Sequence, residues 1–219
     1  MNNTKLVFVR HGQSVGNANH VLLGQTDLDL SELGYHQAEL AADAFADEKV
    51  DVIVSSDLKR AYNTALAHSK RRGIPVVPDS GFREMNIGSW EGESAVLLRE
   101  KKDPLFDDFC FRFGYFTPPD GEDVWQLSER IYRSALRIAE QYKGKTILVG
   151  CHAAAIRMFF ARILGYGREE TSTLLPFPTN ASFSICEYDG SRFIPLEFSR
   201  DEHIVDELGV PSQHKVFER

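Results

Sequence analysis

Four side chains able to carry positive charge sit where three apolar runs of the chain end. Lys5 to Val9 runs into Arg10-His11-Gly12, Val50 to Val54 into Ser55-Ser56 with Arg60 close behind, and Lys145 to Gly150 into Cys151-His152. Each run is short, β-branched and without helical period, which reads as a buried strand. In an open α/β sheet the ligand crevice lies beyond the carboxyl ends of the parallel strands, so Arg10, His11, Arg60 and His152 converge if these strands are parallel neighbours. Two guanidinium forks and two imidazoles make a cage of phosphoryl size. Arginine matches phosphoryl oxygens bidentately, and each following helix adds backbone N–H donors at its start. A lone histidine at a strand end is ordinarily structural, and a lone arginine in a first helical turn is ordinarily solvated. Their coincidence on a chain with 7 histidines points to one shared anionic site. No two histidines are spaced i, i+4 and no H-E-x-x-H occurs, so neither a metal nor a cofactor is expected.

The elements that must hold these residues are legible from period and turn chemistry. Ser31 caps a helix whose stripe is Leu33, Gln37, Leu40, Ala41, Ala44 and Phe45. Ser55-Ser56-Asp57 supplies cap chemistry for a helix through Arg60, Ala61, Ala65 and Leu66. Val76-Val77, between Pro75 and Pro78, fits only an edge strand, because proline cannot donate into a central ladder. Val124, Leu127, Ile131, Ala135, Ile138 and Tyr142 step by three or four residues to a stop at Gly144, and Ala153 to Leu164 forms a helix closed by Gly165. Ser182 to Tyr188 turns at Asp189-Gly190 and returns through Phe193 to Phe198 as a hairpin. Alternating strands and helices predict an α/β fold: a three-layer α/β/α sandwich with a mostly parallel central sheet, as one domain over residues 1–219. Residues 88 to 121 break the pattern. They carry Phe106, Phe109, Phe111, Phe113, Tyr115 and Phe116, then the turn Pro118-Pro119-Asp120-Gly121, and read as a small inserted cap region. Residues 200 to 219 are polar and read as a loosely docked tail.

Composition narrows the function classes. The 219 residues are 42% hydrophobic and 26% charged, ordinary for a globular chain. With 25 Lys and Arg against 32 Asp and Glu, the net charge of −7 argues against broad capture of nucleic acid or of an anionic membrane. Cys110, Cys151 and Cys186 are odd in number and lack C-x-x-C spacing, which fits a reducing cytoplasm better than a disulfide framework or a zinc site. Arg157 and Arg162 interrupt the most apolar stretch, so no membrane span is read, and the run Leu6 to Val9, ended by Arg10, is too short for a signal core. The expectation is a soluble cytoplasmic protein whose partner is a small phosphorylated metabolite. Oligomeric state is open at this level.

The same residues resemble a known family. Phe8-Val9-Arg10-His11-Gly12-Gln13-Ser14, followed by Asn17, is similar to the R-H-G signature of the histidine phosphatase superfamily, in its phosphoglycerate mutase-like branch. Asp29-Leu30-Ser31-Glu32-Leu33-Gly34 with Gln37-Ala38, and Ser55-Ser56-Asp57-Leu58-Lys59-Arg60-Ala61 with Thr64, resemble the next two family blocks. Arg83-Glu84-Met85-Asn86-Ile87-Gly88-Ser89-Trp90-Glu91-Gly92 resembles the block of the proton donor, and Val149-Gly150-Cys151-His152 that of the second histidine; Asn180 extends the match. The resemblance implies a metal-independent phosphatase acting on a small phosphomonoester. His11 would form a phosphohistidine, Arg10, Arg60 and His152 would hold the phosphoryl oxygens, and Glu84 would be the proton donor. Asn17, Ser14, Gly12 and Gln25 are the further substrate contacts it implies. Ala153 stands where the family's other branch has an aspartic acid, which favours Glu84 as the acid. Ala153-Ala154-Ala155 departs from the glycine usual after the second histidine.

Three other readings compete. Gly12-Gln13-Ser14-Val15-Gly16 is a literal G-x-S-x-G, the nucleophile elbow of α/β-hydrolases, but an acyl ester needs no cage of arginines. A phosphoglycerate mutase would use the same phosphohistidine chemistry. The paired arginine and basic stretch that serve a second phosphate are represented here only by Arg112 and by Met85-Asn86-Ile87, so hydrolysis is favoured. A module that only binds a phosphorylated partner would be marked by loss of His11 or Glu84, and both are present. Cys151 lacks the glycine-rich anion loop of a cysteine phosphatase and reads as packing.

Overall fold

The computed structural model describes residues 3–208 and 214–217. In chain order the elements are β1 (Thr4–Arg10), α1 (Val15–Ala18), α2 (Glu32–Ala44), β2 (Val52–Ser55), α3 (Lys59–Arg72), β3 (Val76–Pro78), α4 (Ala95–Glu100), α5 (Pro104–Phe111) and α6 (Val124–Gln141). They continue with β4 (Thr146–Cys151), α7 (Ala153–Ile163), α8 (Arg168–Thr173), β5 (Phe183–Tyr188), β6 (Phe193–Arg200), α9 (Glu202–Leu208) and β7 (Lys215–Val216). One sheet of 7 strands runs β3-β2-β4-β1-β5-β6-β7. Its first four strands are parallel, and β5, β6 and β7 are added antiparallel, with β5 and β6 forming the expected hairpin.

The layers follow from alternation along β1. Leu6, Val7, Phe8 and Val9 are all fully buried, and successive side chains of a strand face opposite sides. Leu6 and Phe8 join the core containing Ile131 and Ala135 of α6 and Phe159 and Phe160 of α7. Val7 and Val9 join Ala41, Phe45 and Ala65 on the side of α2 and α3. This is an α/β/α sandwich in which β1 is covered on both faces. β3 lies at the sheet edge with Pro78 as its last residue, where no central ladder bond is lost. The α6 stripe is buried as its spacing predicts, its N-terminus is closed by a capping box between Asp123 and Gln126, and Gly144 beyond its end adopts φ +73°.

Two local expectations are corrected. The residue preceding α3 is Leu58, which offers no side-chain cap; Asp27 Oδ1, from the loop before α2, takes the Lys59 N–H at 2.7 Å, and Ser56 Oγ takes that of Leu58 at 3.3 Å. The tail from residue 200 is docked where it is described. Ile204 is fully buried beside Val7 and Phe45, His203 lies 3.0 Å from the Ala181 carbonyl, and β7 pairs with β6. Leu208 packs on the same core, and Phe217 stacks on Phe160 across the other face. Residues 209–213 and 218–219 of that tail lie outside the described residues. Among the described residues no helix is long and apolar enough to cross a membrane.

His68 of α3 is fully buried against the Phe183 ring, and neither of its ring nitrogens has a hydrogen-bond partner. Burial, with the charges of Arg72 and Arg71, pushes its pKa down to about 3. Because the folded value is depressed, the unfolded chain binds the extra proton first as pH falls below the ordinary histidine range. The stabilisation is complete above about pH 6.5 and is lost as pH falls toward 3, at about 1.4 kcal/mol per unit for this residue. Thermal melts of His68→Leu should therefore depend less on pH than wild type between about pH 7 and pH 5. Equal slopes for the two proteins would refute the assignment.

Candidate active site

β1 and β4 are adjacent and parallel, with Arg10 opposite Cys151, so the two chain segments leave the sheet side by side. The His11 N–H donates to the Cys151 carbonyl at 3.0 Å, and the His11 and His152 rings meet edge-to-face with centroids 5.2 Å apart. β2 lies on the other side of β4, and the helix that follows it delivers Arg60. The convergence expected of the three strand ends is what the topology produces.

The orientation of His11 is fixed by its neighbour. Its Nδ1 lies 2.6 Å from the Gly12 carbonyl, which can only accept, so Nδ1 carries the proton and Nε2 keeps its lone pair. Gly12 is itself held by donating its N–H to Thr64 Oγ1 at 3.1 Å. A Cβ at position 12 would stand 2.3 Å from the Gly34 carbonyl oxygen, so only glycine lets this loop meet the first turn of α2. Asn180 Nδ2 donates to the His11 carbonyl at 3.0 Å. Burial, then the charges of Arg60 and Arg10, hold the His11 pKa well below the usual histidine range, against a smaller opposing effect of the Gly12 bond. His11 is thus uncharged at neutral pH, with the Nε2 lone pair available. Burial and Arg60 lower His152 in the same way.

The cations are clamped by backbone. Arg60 is 1% exposed and donates Nη1 to the Thr26 carbonyl at 2.9 Å and Nη2 to that of Gly24 at 2.7 Å. Arg10 donates Nη1 to the Pro178 carbonyl. Desolvation lowers Arg10 to about 10, opposed by Glu84, so it stays charged. His152 Nε2 lies 2.8 Å from the Ser56 hydroxyl. Two enclosed nitrogens of this group, Arg10 Nε and His152 Nδ1, have no partner in the protein. Arg10 also lines the cavity, so its Nε–H is a donor available to a guest there.

Glu84 reaches the same place from the loop after β3. Its Oε1 accepts from the N–H groups of Met85 at 2.9 Å and Ala155 at 3.1 Å, and its Oε2 from that of Ala154 at 3.1 Å. The carboxylate thereby closes the N-terminus of α7, and the alanines that replace the usual glycine serve it through their amides. The backbone of Glu84 is also held: its carbonyl accepts from Gln25 Nε2 at 3.1 Å and from Arg130 Nη2 at 3.0 Å. Arg130 Nη1 further binds the carbonyls of Gly81 and Arg83, while Glu122 pairs with its guanidinium at 2.5 Å.

A cavity of about 300 Å³ opens over these groups. Its polar lining is Arg10, His11, Ser14, Asn17, Arg60 and Glu84; its apolar lining includes Val21, Leu22, Leu23, Met85, Ile87, Phe109 and Phe177. Of the residues expected from sequence, Gly12 and Gln25 do not line it: Gly12 orients His11, and Gln25 supports the Glu84 backbone and donates its own N–H to Glu91. His152 is fully buried against His11. Ser14 Oγ accepts from the Asn17 N–H and Asn17 Oδ1 from the Ser14 N–H, a capping box for α1 that leaves Asn17 Nδ2 as the donor. The G-x-S-x-G serine is therefore a helix cap. Arg130, Glu122 and Glu91 went unread in the sequence, because nothing in the α6 pattern separates Arg130 from the exposed Arg133 and Arg137. Among the described residues no three His, Cys, Asp or Glu side chains come together as a metal site requires.

The likeness to known proteins agrees with this geometry. The family model of the histidine phosphatase superfamily (branch 1) matches residues 6–200. A metal-independent phosphoserine phosphatase of Arabidopsis thaliana is 34% identical over 163 residues, 73% of this chain and 68% of its own. Among solved structures, Bacillus stearothermophilus YhfR superposes with TM-score 0.85 at 25% identity, covering 92% of this chain and 99% of that one. Mycobacterial glucosyl-3-phosphoglycerate phosphatase, solved with VO3, gives TM-score 0.80 at 27% identity, covering 87% and 96%. With five sequence blocks, the strand-end cage and the matched span in agreement, the chain belongs to the histidine phosphatase superfamily, branch 1, and is a phosphatase of that superfamily.

Proposed function

We propose that the protein hydrolyses a small phosphomonoester without a metal, through a phosphohistidine on His11. The observation that carries this reading is a neutral His11 with its Nε2 lone pair unclaimed, beside the enclosed Arg10 Nε–H, which lacks any acceptor. A phosphoryl group supplies both an electrophile for the first and an acceptor oxygen for the second. Nε2 attacks phosphorus as the ester P–O bond breaks, and Glu84, in its acid form, gives its proton to the departing oxygen. Water then attacks phosphorus, Glu84 takes back a proton, and the P–N bond breaks to restore His11. Arg10, Arg60, His152 and Asn17 hold the oxygens whose charge grows in each transition state. In this proposal Ser14 shapes the loop, Gly12 orients the nucleophile and Gln25 steadies the acid. Residues 88 to 121 act as a cap over the site, within one domain.

Release to water is favoured over transfer to a second acceptor site. Arg112, the cation of the insert that a mutase would direct at a second phosphate, pairs with Asp108 at 3.3 Å and lies over the Tyr115 ring at 4.6 Å. It does not line the cavity. The relative solved with a vanadium oxyanion, and the relative named for phosphoserine, support a phosphoryl group as the guest. The test is p-nitrophenyl phosphate turnover in EDTA, with enzyme quenched in alkali during turnover and mapped by peptide mass. A phosphoryl adduct on His11 that survives alkali and is lost in acid is expected. An adduct on Ser14 or Cys151, or loss of turnover in EDTA, would overturn the reading.

A further inference from the structure

We infer that the group released from phosphate is an uncharged apolar alcohol, aryl or alkyl, recognised by Phe109 and Phe177; this rests on the phosphatase reading above. Every charged side chain lining the cavity has a role at the phosphoryl group: Arg10 and Arg60 face its oxygens, and Glu84 handles the proton. The rest of the lining is uncharged: apart from His11 and from Ser14 and Asn17, which cap α1, it is apolar, and its bulkiest side chains include Leu22, Met85, Ile87, Phe109 and Phe177. A leaving group bearing a carboxylate or an ammonium would bury that charge among these side chains without a counter-ion, which low-polarity surroundings disfavour.

The other cations near the aromatic cluster are engaged elsewhere. Arg112 is held by Asp108 and Tyr115, and Arg99 lies over the Phe106 ring at 5.9 Å. Arg157, 4% exposed on α7, sits over the rings of Phe113 at 4.8 Å and Phe177 at 4.4 Å and donates Nη2 to the Thr171 carbonyl at 2.8 Å. It is absent from the cavity lining and instead anchors Phe177 from behind. Phe109 is likewise fixed, with the rings of Trp90, Phe106, Phe113, Phe116 and Phe177 around it at centroid distances of 5.3–6.5 Å. Two immobilised aromatic rings beside a phosphoryl site form a surface on which a ring or short alkyl chain packs at little entropic cost. The cavity of about 300 Å³ accommodates a phosphoryl group together with such a ring or chain.

Benzyl phosphate and phosphoserine are both esters of primary alcohols, so comparing them removes most of the difference in leaving-group reactivity. Wild-type kcat/KM should favour benzyl phosphate over phosphoserine and 3-phosphoglycerate by at least about 100-fold. Phe109→Leu, which keeps an apolar side chain of similar bulk, should narrow the benzyl-to-phosphoserine ratio about tenfold. Equal or better turnover of phosphoserine by wild type, or an unchanged ratio in Phe109→Leu, overturns the inference while leaving the phosphatase reading intact. Failure to hydrolyse any of the three esters, or p-nitrophenyl phosphate, overturns both.

Discussion

His11→Ala should lose turnover of p-nitrophenyl phosphate by roughly four to six orders of magnitude, the scale on which removal of a covalent nucleophile is felt. No phosphoenzyme should accumulate in alkaline quench. The fold should survive, because His11 is buried between Arg10 and Arg60, which already disfavour its charge, and the loop behind it is held by Thr64 and Asn180 through backbone atoms. Vanadate should still bind the variant, since both guanidiniums and His152 remain. A variant that keeps wild-type turnover would show that the lone pair on Nε2 is not the attacking group. A variant that loses both turnover and vanadate binding would show that the imidazole holds the anion rather than attacking it.

The second large effect is expected at Glu84, and its size should depend on the ester. For an alkyl phosphate the departing oxygen is strongly basic, and Glu84→Gln should lower kcat/KM by roughly 10²–10⁴-fold. For p-nitrophenyl phosphate the departing phenolate is stable without a proton, so the same substitution should cost much less in the first half-reaction. Glutamine keeps one acceptor for the amides at the start of α7 but places an N–H₂ where Glu84 accepts with its second oxygen. A modest stability loss of about 1–2 kcal/mol should therefore accompany the kinetic one. Equal loss on the two esters, measured in parallel with melting temperature, would assign Glu84 to holding α7 rather than to proton transfer.

What the sequence made legible and what it hid divide along a physical line. Arg10, His11 and His152 could be placed because each follows an apolar run, and strand ends of a parallel sheet share one rim. The α6 stripe and its Gly144 stop were equally plain, since period and cap chemistry are local. The hidden parts depend on contacts between distant segments. Arg130 reaches the Glu84 loop across more than forty residues, as does the carboxylate of Glu91 for the loop of Gln25 and Thr26. Gly12 and Gln25 were expected to touch substrate, yet the one turns its carbonyl to His11 and the other its amide to a carbonyl of the acid's loop. Residue type alone cannot say whether a donor faces a ligand or a neighbouring strand. The docked tail hid for the same reason: Ile204, Leu208 and Phe217 are scattered through a mostly polar stretch, and their burial depends on distant segments that carry Val7, Phe45 and Phe160.

The cavity is assembled from two independent sources: its reactive groups come from strand ends and the loops pinned to them, whereas Phe109 belongs to the insert and Phe177 to the segment before β5. Substitution at Phe109 can thus exchange one clientele for another while the reactive groups stay in place, whereas Glu91, in the same stretch, must be kept because it holds the loop of Gln25 and Thr26 that clamps Arg60. A laboratory library aimed at new substrates should therefore vary Phe109, Phe177 and their apolar neighbours in the cavity wall and leave Glu91 unchanged.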